Sequence, residues 1–222
     1  MTMTWNLDTA LVTTFTLVRA NFMAFFAVAL LFNAPMLVIG FVDDGFAVTL
    51  VVGLIANILL TVSLTIGAIQ AMAGARPGFT VLVRQINRPD LGKLLALGIV
   101  QHVVIVLGLI ALIAPGLYVL SLWMVAMPVI IVERLTVAGA LDRSAALTRE
   151  RRWLVLGIFV LVAIPAILVV EILGTVTGIF ILTWLLEAAL STVLVSLTVV
   201  LYALLRGEKE GVTPQQIAAA LD

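Results

Sequence analysis

Cysteine is missing from all 222 residues, and histidine occurs once. The first absence excludes disulfides, thiolate zinc sites, iron–sulfur clusters and a cysteine nucleophile. The second excludes multi-histidine metal centres. Charge is scarce: 11% of residues carry it, against roughly 25% in an ordinary soluble domain. Twelve Lys and Arg balance twelve Asp and Glu, so the basic excess of a nucleic-acid binder is lacking. What dominates instead is apolar character, at 64% of residues. Such a chain is neither a water-soluble globular domain nor a disordered one.

About 20 apolar residues carry a helix across the hydrocarbon core. Six runs qualify, bounded by charge, Gly or Pro: Phe22–Val42, Phe46–Ala73, Leu94–Ala114, Leu117–Val132, Trp153–Leu173 and Ile179–Leu205. The fourth is short and is expected to sit obliquely or shallowly. These runs are apolar all round, without the alternation of a membrane β-barrel strand. The expected fold is therefore an all-α integral membrane protein with six transmembrane helices, a single membrane domain over residues 1–222. The connectors Asp43-Asp44-Gly45, Pro115-Gly116 and Gly174–Gly178 hold no Lys or Arg, and all twelve cations fall on the other side. The positive-inside rule then predicts a bacterial inner-membrane protein with both termini in the cytoplasm. The N-terminus lacks the basic start and cleavage site of a signal peptide. Trp5, Trp123, Trp153 and Trp184 suit interfacial anchoring or ordinary packing.

Leu17-Val18-Arg19, Leu82-Val83-Arg84 and Leu147-Thr148-Arg149 recur at a spacing of 65 residues. A fixed period is the mark of a repeat. It divides the chain into units 5–73, 77–132 and 136–205, each an amphipathic interfacial helix followed by a transmembrane hairpin, with a tail at 206–222. Triplet matches also arise by chance in a chain so rich in Leu and Val. Thr136 reads as the N-cap of an amphipathic helix ending near Arg149, and Thr80 to Ile86 has a similar pattern with Arg84 and Arg88 free for headgroups. Pro214 falls in the first turn of a short C-terminal helix.

Ionisable groups inside spans are costly and mark candidate functional positions. Glu187 is the main one, with apolar neighbours on both sides and no second intramembrane carboxylate evident; Glu171 is expected to reach the headgroups. Gln101 and His102 stand inside the third span. Asn33, Asn57 and Gln70 read as interhelical hydrogen-bonders. Gly53, Asn57 and Thr61 form a small polar stripe that argues packing. Arg149, Arg151 and Arg152 form the densest basic cluster, a candidate site for anionic lipid headgroups at about 1 kcal/mol per cation; the plainer reading is topology alone. No nucleophile elbow, Walker loop or zinc-protease motif occurs, and no cofactor or metal site is predicted.

The most distinctive stretch is Pro115-Gly116-Leu117-Tyr118, then Trp123, then Met127-Pro128-Val129-Ile130-Ile131-Val132-Glu133. It continues through Ala140-Leu141-Asp142-Arg143-Ser144 and Leu147-Thr148 to Arg151-Arg152-Trp153. This pattern resembles the membrane domain of glycerophosphoryl diester phosphodiesterases and the YciC-like polytopic bacterial membrane proteins. Phe15 to Phe22 is similar to that family's opening. One departure is visible: Arg149-Glu150 stands where a glycine is usual. In relatives fused to a phosphodiesterase the catalytic unit is a separate soluble domain, so the resemblance implies a membrane module rather than the enzyme.

The residues of the motif have a physical reading of their own. Pro115 and Pro128 are expected to bend or break the ends of the fourth span. Glu133 lies within reach of Arg134, Arg143 or Arg149, and such a pair would clasp the amphipathic helix to the bundle. Ser144 is placed to bond a main-chain carbonyl at a close helix crossing. Two functions compete. One is a non-catalytic module that organises lipid or scaffolds a membrane partner or a second copy of itself. The other is a small transporter or channel using Glu187, with Pro35 and Pro165 opening carbonyls for a ligand. An intramembrane enzyme would need a polar cluster around His102 that the sequence does not display.

Overall fold

The computed structural model describes residues 6–39 and 45–221. Trp5, Asp43 and Asp44 lie outside the described residues. Every regular element among those described is helical: α1 (Leu7–Ile39), α2 (Phe46–Met72), α3 (Phe79–Val83) followed by a 3-10 turn (Arg84–Asn87), α4 (Leu91–Ala111) and α5 (Ile113–Trp123), then α6 (Ala126–Glu133), α7 (Val137–Thr148), α8 (Arg152–Thr177), α9 (Phe180–Glu210) and α10 (Pro214–Ala219). Six stretches are long and apolar enough to cross a membrane, the fourth being Ile113–Glu133, which contains both α5 and α6. The protein is a helical, multi-pass membrane protein.

Three antiparallel hairpins carry the apolar mass: α1 with α2, α4 with α5, and α8 with α9. α9 is the central pillar. Its C-terminal half, Leu197 and Val199 through Leu205, is buried, packed between α1, α2 and α8. Because lipid is as apolar as a leucine side chain, contacts here depend on close fit rather than on the hydrophobic effect. A Cβ on Gly108 would lie 2.9 Å from Gly116 Cα, and one on Gly116 would lie 2.6 Å from Leu109 N. The α4–α5 hairpin thus closes backbone to backbone, with Leu112 alone between the two helices.

Local signals set several ends as expected. The Thr136 side chain accepts the Gly139 N–H at 3.2 Å and caps α7. Thr213 and Gln216 form a capping box at α10, with Pro214 in its first turn. α10 docks over the ends of α2 and α9, where Ile217 is buried.

Three expectations are corrected. The first amphipathic segment is not a separate helix: α1 runs unbroken through Arg19 for 33 residues, about 50 Å, longer than the roughly 30 Å hydrocarbon core. Pro35 and Pro165 lie inside α1 and α8 without ending them, and each leaves the carbonyl four residues back, on Leu31 and Leu161, without its helical donor. The fourth span is not short; it is 21 residues long and broken in its middle at Met124 and Val125. Arg88 is not free for headgroups, because it pairs with Asp90 at 2.8 Å.

Candidate functional site

The break between α5 and α6 exposes main-chain acceptors that a continuous helix would satisfy. Pro128 has no N–H and so leaves the carbonyl four residues back, on Met124, without its helical donor. Side chains from two other helices cap the neighbouring carbonyls. Gln101 Nε2 on α4 donates to the Trp123 carbonyl at 2.7 Å. Ser144 Oγ on α7 donates to the Leu122 carbonyl at 2.8 Å, and Thr148 Oγ1 approaches the same oxygen at 3.5 Å. Irregular backbone in a membrane protein is tolerated where it is buried in protein or lines a cavity. Both conditions hold here.

A cavity of about 360 Å³ lies against the break, walled by α2, α4, α5, α6, α8 and α9. Its polar side chains are Asn57, Thr61 and Thr65 on α2, Gln101 and His102 on α4, and Ser191 and Thr198 on α9. Ile58, Ile105, Leu120, Trp123, Met124, Met127, Phe159, Leu194 and Val195 make its walls apolar. No charged side chain lines it among the described residues. Asn57, His102 and Val106 are exposed, so the cavity opens sideways, beside the outward-facing Val103 and Leu107.

Several of its polar groups are turned onto their own helices. Thr61 donates to the Asn57 carbonyl at 2.8 Å, Ser191 to Ala188 at 2.8 Å and Thr198 to Leu194 at 3.0 Å. His102 Nδ1 lies 2.8 Å from the Gly98 carbonyl. That oxygen can only accept, so the proton is on Nδ1 and Nε2 is left for another partner. The Asn57 amide likewise keeps its hydrogen-bonding capacity. The site can therefore offer acceptors and donors, but no charge, to a ligand entering from the apolar side.

On the basic face, α6, α7 and α9 are knitted by two cations and two carboxylates. Arg143 Nε bonds Glu133 Oε2 at 2.9 Å, and its Nη2 bonds Glu210. Arg206 pairs with Glu210 at 2.8 Å and approaches Glu133 at 3.7 Å. The Tyr202 hydroxyl sits between, accepting from Arg206 Nη1 at 3.1 Å and lying 3.4 Å from Glu133. Burial opposes the charge on Arg143, but its bonds to Glu210 and Glu133 outweigh that and hold the guanidinium above its ordinary pKa. Of Glu133's three sequence-predicted partners, Arg143 makes the pair; the Arg134 side chain reaches the Leu221 carbonyl at 3.1 Å instead.

The motif residues thus converge on the fourth span. Trp123 and Pro128 bracket its break, Pro115 and Gly116 start α5 against α4, and Glu133, Arg143 and Ser144 join it to α7. The intramembrane trio does not converge. Gln101 and His102 line the cavity, whereas Glu187 is exposed on α9 and is not part of the lining. The basic trio is divided too. Arg151 pairs with Glu208, Arg152 donates to the Tyr118 hydroxyl at 2.9 Å and stacks over its ring, and Arg149 is exposed. Trp184 is no simple interfacial anchor; its Nε1 donates to the Asn33 carbonyl at 2.9 Å and ties α9 to α1.

Sequence reasoning missed Tyr202, Arg206 and Glu210 in the charged cluster, and Thr65, Ser191 and Thr198 in the cavity. A spacing signal existed for one pair, Arg206 and Glu210 at i and i+4. The polar cluster around His102 is present, although nothing in the linear order displayed it.

No curated protein and no solved structure matches this chain. Residues 98–219 match the family described as the membrane domain of glycerophosphoryl diester phosphodiesterase. That stretch holds the broken span, the α7 clasp and the C-terminal pillar, and it covers more than half of the chain. The matched unit is a membrane domain, not a catalytic one, and the chain belongs to this family of membrane domains.

Proposed function

We propose that the protein is a non-catalytic lipid-organising module that holds an uncharged membrane lipid in the cavity beside its broken fourth span. The carrying observation is the combination found there: apolar walls, a sideways opening among exposed apolar residues, and polar groups without charge. A hydroxyl- or carbonyl-bearing lipid would satisfy Asn57 and His102 Nε2. An ionised ligand would find no opposite charge in the lining and would meet the cost of an unpaired charge in an apolar medium. The orientation proposed is the one the cations favour, with the basic face in the cytoplasm of a bacterial inner membrane. α7 and the charged cluster then hold the break in place from that side.

The test is mass spectrometry of the protein isolated from its own membrane in native lipid discs, compared with Thr61→Leu/Ser191→Leu. Both hydroxyls are bonded only within their own helices, so the double variant fills the cavity without uncapping the break. One uncharged lipid enriched with the parent protein and lost from the folded variant is expected. Unselected lipid in both would refute the reading.

A second reading, a small transporter, has one observation in its favour: a broken helix beside a cavity is the form in which transporters expose backbone to ligands. Glu187 is not part of that cavity's lining, although Ser191, one turn further along α9, is. Liposome flux that survives Glu187→Gln and stops with Thr61→Leu/Ser191→Leu would favour it over the lipid module.

A further inference from the structure

We infer a second binding site, for a phosphate group, in a recess on the basic face between the start of α4 and the end of α6. The recess has a volume of about 470 Å³ and is lined by the cations Arg88, Lys93 and Arg134, with Asp90 as the one carboxylate among the described residues. Leu94 and Ile130 give it an apolar floor. It is separate from the lateral cavity and does not rest on the proposed lipid there.

The charge in this recess is unbalanced. Arg88 spends its Nε and Nη2 on Asp90, at 2.8 and 3.1 Å. Lys93 acts on Asp90 only at longer range. Arg134 bonds through Nη2 to the Leu221 carbonyl, and no carboxylate partners it among the described residues. Among the described residues three positive groups therefore face one negative group, and Arg88, Lys93 and Arg134 keep N–H donors beyond those bonds. Guanidinium forks match phosphate oxygens in both shape and charge.

The backbone gives an independent sign. Arg134 ends α6 at φ 51°, the one left-handed non-glycine among the described residues. Glycine is the usual residue at such a position, because a side chain there is strained. The chain keeps a cation where glycine would be more comfortable, and strain retained in this way concentrates at functional sites. The shared chemistry is a phosphate mono- or diester; a lipid headgroup or a soluble phosphate could supply it.

Binding is to be measured on the full chain in detergent with two probes, dioctanoyl phosphatidic acid and inorganic phosphate, in the Thr61→Leu/Ser191→Leu background that fills the lateral cavity. Lys93→Gln and Arg134→Gly should each weaken phosphate-probe binding about fivefold. Arg149→Gln, which removes an exposed cation elsewhere, should leave it unchanged. Arg134→Gly also relieves the left-handed strain, so its Tm without ligand should be equal or higher, separating lost binding from lost folding. Tight binding of phosphatidic acid alone identifies a lipid headgroup as the source; equal binding and competition by inorganic phosphate identify a soluble one. Phosphate-probe binding that Lys93→Gln and Arg134→Gly both leave unchanged would overturn the site. An Arg149→Gln effect as large as that of Arg134→Gly would do the same, by showing diffuse surface attraction.

Discussion

Glu133→Gln isolates the charged cluster on the basic face, because glutamine keeps the side chain's shape and removes its charge. The carboxylate receives a 2.9 Å bond from Arg143 and a 3.7 Å approach from Arg206. A hydrogen bond to a charged group contributes about 1.5–3 kcal/mol when well buried, and an exposed ion pair about 0.2–1 kcal/mol. The side chains of Glu133 and Arg206 are 18% and 16% exposed, and that of Arg143 is 31% exposed. Their contribution belongs between those limits, at about 1.5–2 kcal/mol. Two guanidiniums would then face Glu210 alone, so part of the cost is repulsion left behind. At roughly 2–4 °C per kcal/mol for a chain of this size, Tm in detergent should fall by about 3–8 °C. Arg143→Gln in the Glu133→Gln background should cost less than it does alone, giving a coupling of about 1 kcal/mol in a double-mutant cycle. High salt should shrink that coupling, because the groups are only partly buried. An unchanged Tm, or single effects that simply add, would refute the clasp.

Other perturbations follow from the same geometry. Ser144→Ala should cost about 1 kcal/mol, because Thr148 Oγ1 can move onto the Leu122 carbonyl; adding Thr148→Val should cost more than the two changes separately, as the buried carbonyl then loses its last donor, a comparison read by detergent melting. Gly116→Ala should destabilise or misassemble the α4–α5 hairpin, since its Cβ would lie 2.6 Å from Leu109 N; size-exclusion chromatography and melting would reveal it, and a native-like variant would count against that close approach. The Arg88 hydrogen bond holds the Asp90 carboxyl below its ordinary pKa of 3.8. A depressed carboxyl pKa stabilises the fold above the unfolded value and ceases to do so as pH falls through the folded one. The Asp90→Asn penalty should therefore be constant at neutral pH, begin to shrink as pH falls below about 4, and disappear only below the depressed pKa of the folded state.

How far the sequence disclosed this protein depended on the range of each signal. Apolar run length gave the spans, and short-range chemistry gave the Thr136 cap, the Pro214 start and the Glu133–Arg143 pair across ten residues. The break at Met124 and Val125 was hidden because neither residue is a helix breaker; Pro128, which removes the donor, reads equally well as the end of a span. The cavity was hidden for a different reason. Its polar residues come from α2, α4 and α9, and helices that are apolar all round carry no periodicity to say which sides meet. The Arg149, Arg151 and Arg152 cluster misled in the opposite direction, since adjacency in sequence said nothing about Glu208 and Tyr118, which engage two of the three.

The most direct test of the central claim is photo-crosslinking in the native membrane. A diazirine placed on the chain of an uncharged, hydroxyl-bearing lipid would be activated there, and the modified residues mapped by mass spectrometry. Adducts concentrated on Ile105, Val106, Met124 and Met127 of the lateral cavity are expected, as is their depletion in Thr61→Leu/Ser191→Leu. Adducts spread over the outward faces of α4 and α8, with no enrichment at those four residues and no change in the variant, would contradict it.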